Sequence, residues 1–157
     1  MAIAFLSSVP GPFDPKLIIF PRHAQHVVLI HFPIALFISA AVFDFVAHWR
    51  NRPRLAEAAY YNLGIAAVST LPVMFTGILA WHFQLEAQRI RGILLLHLVL
   101  ALVSSLLIWL SWWLHFRARR ELQSLSPYRL PIEFLAIGVI AITAHLGGFL
   151  SGVNSPG

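Results

Sequence analysis

The sequence predicts an all-α integral membrane protein, an antiparallel four-helix bundle, and three observations carry that prediction. Of 157 residues, 59% are hydrophobic and 11% charged, against roughly 25% charged in an average soluble domain. Four apolar runs each reach the ~20 residues that cross a hydrocarbon core. The links between them are short, which sets neighbouring helices antiparallel.

Residues 1–22 hold Pro10, Pro12, Pro15 and Pro21. Proline lacks the N–H a helix needs, so an extended periplasmic arm is expected there. Within it, Leu17–Phe20 is apolar enough to rest in the membrane interface or against a partner. The arm has no basic leader and is not read as a cleaved signal. The transmembrane domain is expected over 23–152. Its first span covers about 24–49 and is closed by Arg50, Arg52, Pro53 and Arg54. The second covers about 58–82 without a charged residue. The third covers about 92–116, and Arg117, Arg119 and Arg120 follow as a basic loop. The fourth covers about 130–150, with a short tail at 153–157.

The net charge of +5 does not imply nucleic-acid binding, because the arginines sit in short clusters between apolar runs. That distribution is a topology signal. Arg50, Arg52, Arg54, Arg117, Arg119, Arg120 and Arg129 fall in the first and third loops. Lys16, Arg22, Arg89 and Arg91 fall in the arm and the second loop. The excess places the first and third loops in the cytoplasm and both termini in the periplasm. Trp49, Trp112, Trp113, Tyr60, Tyr61 and Tyr128 form the inner aromatic belt, and Trp81 marks the outer one. The absence of cysteine removes disulfides, thiolate metal sites, iron–sulfur clusters and covalent c-type haem.

Ionisable groups are costly in a lipid-facing helix, so the histidines of the spans are the first candidates for function. His31, His97 and His145 lie on three different spans, each roughly 8–11 Å inside the outer boundary at about 1.5 Å per residue. His23, His26 and His82 sit nearer the outer water, and His48 and His115 near the inner edge. In span three, His97, Ala101, Ser104, Ile108, Ser111 and His115 share a face. In span four, Gly138, Ala141, His145, Gly148 and Gly152 do the same. Small residues beside an inward histidine leave room for a neighbouring backbone or for a flat porphyrin.

Four-helix bundles place haem between facing helices with axial histidines. Spans one and three are diagonal in such a bundle, so His31 and His97 are the expected axial pair for one haem b. His145 is the expected donor to a propionate or the replacement ligand. His23, His26, His82, Arg89 and Arg91 are placed to meet the propionates. A zinc or copper ion on His31, His97 and His145 is the rival, although no carboxylate lies at that level. A second, inner haem on His48 and His115 is a weaker option, since His48 is rotated by about a quarter turn from His31 at 100° per residue. Each of these two histidines adjoins an arginine at the interface, where snorkelling explains it. Pro33 frees the Leu29 carbonyl for a nearby polar group. Asp44 most simply pairs with His48 or a loop arginine, and Glu133 is expected at the cytoplasmic surface near Arg129. No nucleophile triad or phosphate loop is present.

The stretch from His23 to Leu36, HAQHVVLIHFPIAL, with Phe43-Asp44 downstream, resembles the opening of the bacterial domain-of-unknown-function 2231 family. Ala24 and Val27 stand where that family's pattern has proline, while the histidines at 23, 26 and 31 match it. The stretch Ala144-His145-Leu146-Gly147-Gly148-Phe149-Leu150 is similar to the family's closing motif. The resemblance implies four membrane spans in a bacterial inner membrane. Fusion of some relatives to c-type cytochrome domains implies redox partners on the periplasmic side. The expectation is therefore a membrane-embedded haem b subunit that transfers electrons within a larger respiratory or photosynthetic complex, in contact with lipid and other subunits. The alternatives are a cofactor-free accessory subunit and a histidine-based copper or zinc protein.

Overall fold

The computed structural model describes residues 24–121 and 126–152. The arm at 1–22, His23 and the tail at 153–157 lie outside the described residues. Five helices follow in order: α1 (Ala24–Leu29), α2 (His31–Arg50), α3 (Pro53–Gln84), α4 (Ile93–Arg120) and α5 (Arg129–Leu150). Helices α1 and α2 together make one membrane-length segment, and α3, α4 and α5 are each long and apolar enough to cross on their own. The chain is an all-α membrane protein with four spans.

Pro33 explains the break between α1 and α2. It has no N–H for the Leu29 carbonyl, and the helix is interrupted at Ile30. The Ile34 N–H reaches Ile30 O only at 3.4 Å. The His31 ring bonds nearby, where its Nδ1 donates to Val27 O at 2.7 Å.

At the arginine-rich end the helices run further than expected. Helix α3 begins at Pro53, where a first-turn proline has no N–H to lose and a preset φ. Helix α4 continues through Arg117, Arg119 and Arg120, so those residues form a last turn and not a loop. Their cationic heads reach outward while stems and planes cover aromatic rings. Arg119 lies 4.4 Å from the Tyr60 ring, Arg117 5.6 Å from Trp113, and Arg50 5.0 Å from Trp49. Asn51, in the left-handed region at φ 50°, turns the chain from α2 to α3. Asparagine tolerates that conformation better than most residues.

The spans pack as a ring, α2 on α3, α3 on α4, α4 on α5 and α5 on α2, while α1 leans on α3. Spans one and three are therefore diagonal, as an alternating bundle requires. The centre is filled by Phe37 and Ala40 of α2, Ala59, Leu63, Ala66 and Ala67 of α3, Ile108 of α4, and Ala136 and Ile140 of α5. Lipid tails are as apolar as these side chains, so close van der Waals contact holds the helices, and alanine allows it. The apolar residues turned outward include Phe32, Phe75, Leu106 and Leu135. That inside-out pattern suits lipid.

Polar pairs add register. Thr143 Oγ1 donates to Val139 O at 2.7 Å, so its one proton is spent, and Ser104 Oγ must donate to it at 3.2 Å across α4 and α5. Trp109 Nε1 donates to Thr70 Oγ1 at 3.1 Å across α4 and α3. Gly77 faces the His26 ring, and a Cβ there would lie 3.1 Å from Cε1. The bare backbone lets His26 Nδ1 meet Thr76 Oγ1 at 3.1 Å, which seats α1 on α3.

Candidate metal centre

One turn or two inside the arginine-rich end, three helices bring ionisable groups together. Asp44 is six residues from the end of α2, His115 five from the end of α4, and Glu133 four from the start of α5. At 1.5 Å per residue they lie about 6–9 Å below those ends. Asp44 is 0% exposed, His115 and Glu133 1%, and Arg129 7%.

The local contacts fix each group. Arg129, the first residue of α5, donates from Nε to Asp44 Oδ2 at 2.7 Å and from Nη1 to Ser126 O at 3.3 Å. That pair turns the other oxygen, Oδ1, toward α4. There the His115 Nδ1 donates to Ser111 O at 3.0 Å. A carbonyl can only accept, so Nδ1 carries a hydrogen, and Nε2 faces Asp44 Oδ1 at 3.6 Å, an ion pair when the ring is protonated and a lone-pair contact when it is neutral. At that distance the contact is too long for a hydrogen bond. Among the described residues neither Glu133 oxygen has a hydrogen-bond partner, and the same holds for Asp44 Oδ1 and His115 Nε2.

Four buried atoms without partners are expensive in a low-dielectric interior. One atom each from Asp44, His115 and Glu133 all lie within 4.8 Å of one another. Two ligands of a tetrahedral ion with bonds near 2.1 Å are roughly 3.4 Å apart, close to the 3.6 Å between Nε2 and Oδ1. One imidazole and two carboxylates is a donor set for a divalent first-row metal. The carbonyl-bound Nδ1 of His115 is the orientation that metal-ligating histidines adopt. The residues present therefore fit a metal ion.

The histidines singled out from the sequence are distributed differently. His97 is half-buried, and its Nδ1 donates to Thr143 O at 3.1 Å. The bare Gly147 backbone admits that ring, since a Cβ would lie 3.2 Å from Cε1. His31 is exposed and holds Val27 O. His145 is also exposed, edge-on to Phe149 at 5.0 Å. His82 is exposed against Phe83, and His26 is held by Thr76. The outer histidines thus do not converge inside the bundle. His48, one turn beyond Asp44 on α2, is exposed beside Phe45 and Trp49, while His115 faces Asp44.

Two expectations are corrected. The face of α5 with Gly138, Ala141 and His145 was expected to turn inward, but it turns outward, and a Cβ on Gly138 would meet nothing. The buried face is Arg129, Glu133, Ala136 and Ile140, because two charged side chains have no favourable place against lipid. For the same reason Glu133 is buried and not at the surface. The expectation that Asp44 takes either His48 or a loop arginine resolves to Arg129. The face of α4 with Ser104, Ile108, Ser111 and His115 does turn inward, as its spacing implied.

The sequence signal for the cluster lies at the inner level, away from the outer histidines. Asp44 and Glu133 are acids deep within apolar spans, and counting residues inward from Arg50, Arg120 and Arg129 brings them level with His115. Comparison with curated proteins and with solved structures found no match. A family match covers residues 22–154, which is nearly the whole chain and all four spans, and the protein belongs to the DUF2231 family of predicted membrane proteins.

Proposed function

We propose that this protein is a metal-binding membrane subunit that holds one divalent first-row transition-metal ion within the bundle, on Asp44, His115 and Glu133. The observation that carries the reading is the convergence of one atom each from Asp44, His115 and Glu133 within 4.8 Å of one another, with His115 Nε2 3.6 Å from Asp44 Oδ1 and no hydrogen-bond partner for the Glu133 carboxylate among the described residues. A single proton would satisfy one such contact. One metal ion satisfies all three residues. Bound there, the ion supplies a localised positive charge and a Lewis-acid centre inside the membrane. Arg129 fixes the Asp44 carboxylate, and Ser111 fixes the tautomer and tilt of the imidazole. The arginine count supports a cytoplasmic position for this end of the bundle in a bacterial inner membrane.

Elemental analysis of the purified protein tests the reading. One divalent metal per chain is expected, lost in His115→Ala and in Glu133→Gln. The second substitution preserves shape and removes no hydrogen bond, so a folded Glu133→Gln protein with full metal content refutes the ligand set.

A haem b electron-transfer subunit of a larger redox complex is the second reading, favoured by one feature. His31 and His97 both give Nδ1 to a carbonyl, which leaves Nε2 of each available to iron. Because His31 lies on the outer surface and His97 between α4 and α5, such a haem takes one of them and a second axial ligand from a neighbouring subunit. A reduced-minus-oxidised absorbance spectrum with low-spin haem bands is its signature, and a colourless pure protein excludes it.

A further inference from the structure

We infer that the metal centre takes a small anion as its remaining ligand, admitted through a groove between α3 and α4. This inference rests on the metal reading above. The groove, ≈ 330 Å³, is at the arginine-rich end and is lined by Pro53, Glu57, Tyr60, His115 and Arg119 among others. His115 therefore borders both the groove and the buried cluster.

Charge balance specifies the kind of ligand. Metal ligands bind deprotonated, so Asp44 and Glu133 contribute −2, and Arg129 returns +1. The set sums to −1, and a divalent ion changes it to +1. A buried, uncompensated charge is costly, and one anion brings the sum to zero. Three protein ligands also leave a position open on a four-coordinate ion.

The groove has matching chemistry. It begins at the first turn of α3, whose N-terminus carries no side-chain cap and so presents the positive end of the helix dipole. Arg119 stands in it, 4.4 Å from the Tyr60 ring. Arg52 and Arg54 flank Pro53 in sequence, and Arg50, Arg117 and Arg120 lie at the same end of the bundle, so the field at this end favours anions. Glu57 holds Arg119 at 3.4 Å, but both side chains are about half exposed (55% and 44%). Such pairs contribute little, so an incoming carboxylate or phosphate oxygen displaces Glu57 easily.

The test uses the full chain loaded with cobalt(II), whose visible band reports its coordination. Acetate and azide are then titrated. A saturable shift of the band is expected with either anion. Arg119→Gln is expected to weaken the acetate response about tenfold, the loss of one charge-assisted contact, with cobalt stoichiometry unchanged. Arg89→Gln, exposed at the opposite end of the bundle, serves as the control and responds as the parent does. Bound cobalt that ignores both anions, or an Arg119→Gln protein that titrates like the parent, overturns the inference and leaves the metal reading standing. Failure to take up cobalt at all overturns the metal reading, and the anion ligand with it. Nanodiscs distinguish two sources of the anionic oxygen. An acetate response abolished in phosphatidylglycerol but kept in phosphatidylcholine assigns the position to a lipid headgroup, and a response in both assigns it to a soluble anion.

Discussion

Asp44 is the residue through which the cluster holds together, because each of its oxygens has a different task. Oδ2 accepts from Arg129 at 2.7 Å, and Oδ1 faces His115. A buried ion pair contributes little relative to a well-packed apolar pair, yet removing one partner strands the other charge. Arg129→Met is therefore expected to lower stability by about 3–5 kcal/mol, read as reduced resistance to thermal unfolding in detergent. The double variant Asp44→Leu with Arg129→Met is expected to recover most of that loss. If the double variant is instead as unstable as the two single losses added together, the pair is not an ion pair in the sense argued here. The metal reading has its own residue-scale consequence, since the double variant must also fail to bind metal. Stability and metal content then part company.

At the scale of the helices, bare backbone sets where histidines lie. Gly77 gives its space to His26, and Gly147 gives its space to His97. Gly77→Val is expected to push the His26 ring off Thr76 and to cost about 1–3 kcal/mol, as overpacking does. Gly138→Ala, which meets nothing, is expected within about 0.5 kcal/mol of the parent. Equal thermal stabilities for the two variants contradict the packing described for α1 on α3. Pro33 was legible in the sequence as a disturbance of the first span, and the break at Ile30 is its result. The rotation of α5 was not. Small residues at Gly138, Ala141 and Gly148 suggest an inward face, but glycine and alanine are tolerated against lipid as well as in a core. Arg129 and Glu133 are not tolerated there, and they set the rotation. The spacing of Ser104, Ser111 and His115 gave the inward face of α4 correctly, because hydroxyl and imidazole groups, like charges, need partners inside.

For the whole molecule, composition and span length were enough to read four membrane crossings and an alternating bundle. What they left open was which end carries the chemistry. Depth along a helix is readable from sequence, but the angle around its axis is only weakly so when nearly every residue is apolar. Three histidines at one depth in the outer half were therefore legible as a level, while their directions were not: His31 and His145 lie on the outside and His97 lies between α4 and α5. At the other end Asp44, His115 and Glu133 agree in both depth and direction. X-ray absorption fine structure at the zinc edge, on protein holding one equivalent of zinc, tests this assignment most directly. The account predicts a shell of oxygen and nitrogen near 2.0–2.1 Å with scattering from a single imidazole. Two or more imidazoles on the ion would contradict it, since among the described residues His115 is the only histidine in the cluster.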